Sequence, residues 1–256
     1  MRKNKVPAAD PARRLALLWG SQTEAGRSGL TVRAIVAAAI AIADADGVEA
    51  LSMRKVAERL GVGTMSLYTH IPSKTDLVDL MLDTVYGQLY TNVEEPSQQA
   101  GDWRDALRFI AQRNWDLYRR HPWMLQIATG RPVLGPHTSL KYEAELRPLD
   151  KLGLSDVEMD ATLTLILTHV EGCARAQAAL ERSQHETDMT EAEWWVAHAP
   201  VMEKIIDPAL FPVATRVGTS AGQTYGGASS PEYAFTFGLD RILAGIAELI
   251  ARTNRE

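Results

Sequence analysis

Apolar residues recur three and four positions apart along most of this chain, and the period-two alternation that marks strands persists nowhere. From Thr31 onward, Ile35, Ala38, Ala39 and Ile42 predict a helix capped by Thr31 and closed by Gly47. A second helix is predicted over Ser52–Leu60, with Met53, Val56, Ala57 and Leu60 on one face and Gly61 at its end. A third, short helix covers Thr64–His70. A fourth starts at the capping box Ser73-Lys74-Thr75-Asp76 and runs to about Tyr90. It is apolar on nearly every side apart from an acidic stripe at Asp76, Asp79 and Asp83, which places it between two bodies. After a polar break around residues 94–101, helices are predicted near Trp103–Arg120, Gly135–Leu152, Asp156–Ser183 and Glu232–Ala251. Residues 218–231, with four Gly and three Ser, predict a flexible loop. The pattern specifies an all-α chain with three parts. These are a basic, mobile tail over 1–29 carrying no more than a short helical turn, a compact helical domain over 30–90, and a larger helical body over 91–256.

Composition adds a compartment and a polarity. The 256 residues are 46% hydrophobic and hold no apolar run near the roughly 20 residues of a membrane span. A single cysteine, Cys173, makes no intrachain disulfide and fits a reducing, cytoplasmic setting. The net charge of −5 conceals an asymmetry: residues 1–75 carry 11 Lys+Arg against 6 Asp+Glu, and the remainder carries 16 against 26. A basic front on an acidic body suits a front that meets a polyanion.

The stretch Ser52–His70, SMRKVAERLGVGTMSLYTH, carries the chemistry. Two short helices that cross at a wide angle need a small residue at the contact, supplied by Ala57, and a turn that tolerates positive φ, supplied by Gly61. Val56, Leu60, Val62, Leu67 and Ile71 then form the core between them. This is helix-turn-helix spacing. With Leu67 and Ile71 turned inward, Thr64, Met65, Ser66, Tyr68 and Thr69 point outward on a helix about 10 Å long, which fits a major groove about 12 Å wide. Hydroxyls and Met65 would read bases, Arg54 suits a bidentate contact to guanine, and phosphate anchoring falls to Tyr68, Lys74, Arg33, Lys55 and Arg59.

Thr31, Ala57, Gly61, Val62, Ser66, Leu67, Tyr68, His70 and Lys74 together make residues 30–90 similar to the DNA-binding domain of the tetracycline-repressor (TetR) family. The resemblance implies three helices with the third as reader. It places base or groove contacts at Arg54, Thr64, Met65 and Ser66, phosphate contacts at Tyr68, His70 and Lys74, and Thr31 among the DNA-facing positions. Thr69 departs from the bulky residue frequent there, which leaves the operator open. More loosely, Thr129-Gly130-Arg131-Pro132 and the run Phe235–Leu243 resemble the ligand-binding domain of the tetracycline repressors, though tetracycline and its magnesium are not implied.

The larger body offers two features of its own. Small residues at Gly172, Cys173, Ala174, Ala176, Ala178 and Ala179, and at Gly238 and Gly245, suit close helix approach. They predict a homodimer joined by a four-helix contact through 156–183 and 232–251, the alternative being an intrachain core. A palindromic duplex operator matches two copies of one short reading helix. Aromatics between Trp103 and Tyr142 predict a cavity for a small-molecule effector, with Trp115, Tyr118, His121, Trp123, Arg131, His137, Tyr142, His169 and Glu171 as lining or anchors. The plainer reading packs the aromatics as core and pairs Glu171 with Arg175 on the surface. Trp194-Trp195 reads as a helix anchor or a pocket lid. No metal-ligand spacing, nucleotide loop or catalytic set is present, so no cofactor or metal is expected. The sequence therefore points to a ligand-responsive, DNA-binding transcriptional regulator of the repressor type and not an enzyme. The competing class is a small-molecule-binding helical protein or an enzyme with a vestigial helix-turn-helix.

Overall fold

The computed structural model describes residues 11–20, 30–127 and 130–253, so most of the predicted tail and Thr129 lie outside it. The described residues form eleven α-helices with short 3-10 turns and no strand, which bears out the all-α reading. Two compact units result, Met1–Leu163 and Thr164–Glu256, with their boundary inside a long helix.

In the first unit, α1 (Pro11–Gly20) stands where a mobile tail was expected. Its order comes from distant contacts: Leu18 is buried, Arg14 pairs with Asp79, and the Trp19 indole N–H donates to the Leu134 carbonyl at 3.0 Å. Next come α2 (Val32–Asp46), α3 (Met53–Leu60), α4 (Thr64–His70) and α5 (Lys74–Tyr86), near the predicted spans, with α5 ending four residues early. Caps explain the starts. Thr31, Ser52 and Ser73 each accept the backbone N–H three residues on, from Ala34, Lys55 and Asp76, at 3.0, 3.2 and 3.1 Å. Then follow α6 (Trp103–Arg120), opened by a capping box between Asp102 and Asp105, and α7 (Pro136–Leu146).

Helix α5 packs on α1, α2 and α7. Its acidic stripe is not solvated, because each carboxylate has a structural partner. Asp76 accepts from the Ser73 hydroxyl at 2.7 Å and Asp79 holds Arg14. Asp83 meets the N-terminus of α7, accepting from the Thr138 N–H and hydroxyl, both at 2.9 Å, where the helix dipole favours a negative charge. Gly135 is required at that junction, since a Cβ there would collide with the Asp83 carboxylate.

Helix α8 (Asp156–Thr187) continues into the second unit, which adds α9 (Glu191–Ile205), α10 (Pro212–Tyr225) and α11 (Pro231–Thr253). Within that unit the His169 Nε2–H donates to the Phe235 carbonyl at 3.0 Å, and Gly238 leaves room for the His169 ring. Gly238 thus serves an approach inside this chain, whereas a Cβ on Gly172 or Gly245 would meet nothing within 4 Å. The predicted loop at 218–231 is helical up to Tyr225. Gly222 lies against Trp195 of α9, where a Cβ would stand 2.5 Å from the indole, so a tertiary contact overrides the Gly/Ser composition.

Candidate nucleic-acid interface and effector-site residues

The reading unit is built by burial on one side and a turn on the other. Leu67 and Ile71 are fully buried, as are Val56, Ala57 and Leu77 around them. Gly61 adopts a left-handed conformation with φ +68°, and its N–H bonds back to Ala57 and Glu58 carbonyls. The Val62 N–H also reaches the Ala57 carbonyl, at 3.0 Å, so the chain turns sharply into α4. The outer face of α4 is consequently free: Met65 is 76% exposed and Tyr68 42%, Ser66 and Thr69 are exposed, and Thr64 and His70 are half-buried. The Thr69 hydroxyl turns inward along the helix to the Ser66 carbonyl at 2.7 Å, which removes it as a free donor.

Five candidate cations lie on α2, on α3 and at the start of α5, and the structure sorts them into two kinds. Lys74, Arg33 and Arg59 are exposed, and no ion pair is formed by Lys74 or Arg59 among the described residues. Arg54 and Lys55 are held: Arg54 Nε lies 2.8 Å from Glu58 Oε1, and Lys55 Nζ lies 2.7 Å from Asp46 Oδ2. The Glu58 hydrogen bond and charge raise the Arg54 pKa further, so the guanidinium stays charged. Thr31 acts locally as the cap of α2.

The proposed effector residues scatter over distinct environments. Trp115 and Trp123 are buried core side chains, and Tyr118 is half-buried. His121, at the end of α6, sits with Nδ1 2.7 Å from Asp44 Oδ1 and Nε2 3.3 Å from Gln88 Oε1. The Trp123 indole N–H donates to the same Asp44 oxygen at 2.7 Å. This cluster ties α2 of the reading unit to the turn after α6. Asp44→Ala strands the buried indole N–H and is expected to lower stability by about 1–3 kcal/mol, measured by urea unfolding; an unchanged midpoint would show that this tie carries no weight.

Arg131 is exposed. The His137 ring abuts Gly87, which has no room for a Cβ. The Tyr142 hydroxyl donates to Asp160 at 2.7 Å on the surface, and that contact raises its pKa. In the second unit His169 is engaged by Phe235, and Glu171 pairs with Arg175 at 2.5 Å, the surface arrangement that its spacing offers. A cavity of about 250 Å³ in that unit is lined by Ser183, Thr187, Met189, Glu191 and Trp194 among others, none of them an effector candidate, and Trp194 forms part of its wall.

Sequence reasoning missed a buried polar cluster. Glu145 of α7 is fully buried, accepting the Tyr90 hydroxyl at 2.8 Å and the Asn114 amide at 2.7 Å, and pairing with Lys141. Burial, and then the Glu145 charge, hold the Tyr90 phenol above its usual pKa. Only Lys141 and Glu145, four apart, gave a local signal; Tyr90 and Asn114 lie 55 and 31 residues away. Among the described residues no group of three potential metal ligands forms, and no helix is long and apolar enough to cross a membrane.

Residues 24–81 match the family described as bacterial regulatory proteins, tetR family, and residues 95–250 match the tetracyclin repressor-like C-terminal domain. The HTH-type transcriptional repressor DrrR1 of Streptomyces coeruleorubidus is 39% identical over 258 residues, covering 97% of this chain and 90% of that protein. Among solved structures, the Streptomyces coelicolor TetR family protein ActR in complex with (S)-DNPA superposes with a TM-score of 0.69 at 27% identity. That match covers 86% of this chain and 98% of ActR. ActR in complex with actinorhodin gives 0.68 at 26% identity over 85% and 95%.

Proposed function

This chain belongs to the TetR family of bacterial regulatory proteins, and from that premise we propose that it is a homodimeric repressor that a small-molecule effector releases from its operator. Relatives that match most of its length, among them DrrR1, are named transcriptional repressors or regulators rather than enzymes. The observation that carries the reading is the outer face of α4, uncharged and exposed, backed by fully buried Leu67 and Ile71 and flanked by cations. A helix so presented suits base edges more than phosphates, and two copies read successive half-sites of a palindrome. Thr64, Met65 and Ser66 face the groove, Arg54 reads a guanine, and Tyr68, His70, Lys74 and Lys55 serve the backbone, with Thr31 holding the start of α2 beside it.

The effector site belongs to the helical body around α6 and α7, and because ActR is solved in complex with (S)-DNPA and with actinorhodin, these two compounds are the first to test. Coupling to DNA follows from contacts of α5 with both α2 and α7, joined by the Asp44–His121–Trp123 tie. An effector that favours one arrangement of these shifts the spacing of the two reading helices, by no more than its differential affinity for the two states. For the dimer, Leu165 of α8 and Tyr233 and Phe237 of α11 are each about half-exposed, apolar side chains in the second unit that support association through these helices.

The test is titration of a duplex from upstream of the protein's own coding sequence. Tyr68→Ala and Lys74→Ala are expected to weaken binding about equally for all sequences, while Arg54→Ala relaxes preference at one base pair by about tenfold to a hundredfold. Full affinity in all three variants would refute the placement of α4.

A further inference from the structure

Both cations at the start of α3 are occupied by carboxylates of their own chain, although Arg59 at the end of α3 and Lys74 at the start of α5 form no ion pair among the described residues. The pairing has a direction. Glu58 takes the Nε edge of Arg54, which leaves the two terminal nitrogens facing outward as a fork. That fork matches the two neutral acceptors of guanine, O6 and N7. A phosphate, by contrast, would bring its charge toward the Glu58 carboxylate, and to take Arg54 for itself would have to displace it. Asp46 acts likewise on Lys55: the ammonium reaches a phosphate only by leaving a carboxylate behind at 2.7 Å. Both side chains of the Arg54–Glu58 pair are largely exposed, so the pair adds little to folding and its effect falls on what the surface binds.

We propose that Glu58 and Asp46 restrain binding to arbitrary DNA by holding Arg54 and Lys55, and that Glu58 alone is also specificity-determining, positioning the Arg54 fork for a base. The inference rests on the reading of α3 and α4 as the DNA-facing elements. Non-specific affinity is set by the number of phosphates that cations neutralise, each contributing about one unit to the slope of log K against log salt. With Arg54 and Lys55 held, the native protein forgoes part of that slope on random DNA, and its discrimination rises because base contacts suffer less.

The experiment uses the full chain and two probes, a random-sequence duplex and the tightest duplex that the wild-type protein selects from a random pool. Glu58→Gln is expected to tighten the random duplex several-fold and steepen its salt slope by about one unit, while the selected duplex gains less, so that the affinity ratio falls. Asp46→Asn is expected to tighten both duplexes and steepen both slopes. Glu58→Asp keeps the charge but shortens the reach, and is expected to leave the random-duplex slope unchanged while lowering the affinity ratio. Thermal unfolding of all three should match wild type, since the side chains are exposed. Unchanged affinity for random DNA in Glu58→Gln and Asp46→Asn overturns the proposal, as does equal tightening of both duplexes by Glu58→Gln, which is charge without positioning. If the wild-type protein binds neither probe, the DNA-facing assignment itself falls, and the inference with it.

Discussion

Glu145→Ala is expected to lower the free energy of unfolding by about 3–5 kcal/mol, because removing one partner of a buried pair leaves the other uncompensated. Glu145 is fully buried and its two oxygens receive the Tyr90 hydroxyl, the Asn114 amide and the Lys141 ammonium. With Ala at 145, all three lose their acceptor inside a closed space, and Lys141, only slightly exposed, has little water to turn to. Glu145→Gln keeps an acceptor for Tyr90 and Asn114 and forfeits only the charge opposite Lys141, so it should fall between wild type and alanine. Urea unfolding followed by far-ultraviolet circular dichroism measures both. A loss below about 1 kcal/mol for alanine, the size of an exposed contact, would mean that water reaches the cluster. The cluster joins α6 and α7 to the segment after α5, so it also sets the stiffness of the body assigned to the effector.

Leu67→Ala is expected to cost about 2–5 kcal/mol, the range for truncating a large apolar side chain in a packed core. Leu67 is fully buried, between α4 and the helices behind it. It is also what keeps the outer face of α4 outward, so the loss of stability and the loss of DNA binding should appear together. Met65→Ala is the matched comparison on the same helix. Met65 is largely exposed and its truncation should change stability by less than about 0.5 kcal/mol while altering the preference for thymine methyls. Equal destabilisation by the two substitutions would contradict the assignment of inner and outer faces.

What the sequence disclosed follows the range of the forces involved. The reading unit was legible because its determinants are local. Ser52 caps α3, Gly61 ends it, and Leu67 and Ile71 lie four apart on one face. Helix α6 was placed at its full extent, Trp103–Arg120, and its ends are local too, Asp102 capping one and His121-Pro122 closing the other. Elements that depend on distant partners were not legible. Helix α1 is fixed by Asp79 and the Leu134 carbonyl, 65 and 115 residues away, and α10 is helical beside Trp195 despite its glycines and serines. Helix α9 was missed for a related reason, having no buried side chain to give it an apolar stripe.

The effector residues were the least legible. Aromatic density between Trp103 and Tyr142 is the same in a core as in a cavity wall, and burial shows Trp115 and Trp123 doing the work of a core. Charge patterns were silent in a similar way. The acidic stripe of α5 gave no sign of its partners, yet Asp76, Asp79 and Asp83 each meet a donor from a cap, from α1 or from the start of α7. Conversely, Arg54 and Lys55 read as free cations in the sequence, and only the folded chain reveals their carboxylate partners.

The most direct measurement is a hydroxyl-radical footprint of the full-length protein on a duplex carrying its selected site. Seating α4 in two successive major grooves predicts two protected patches on one face of the DNA, about 34–36 Å apart, both lost together in the Tyr68→Ala, Lys74→Ala double variant. A single patch, uniform protection along the duplex, or a pattern that survives the double variant would contradict it.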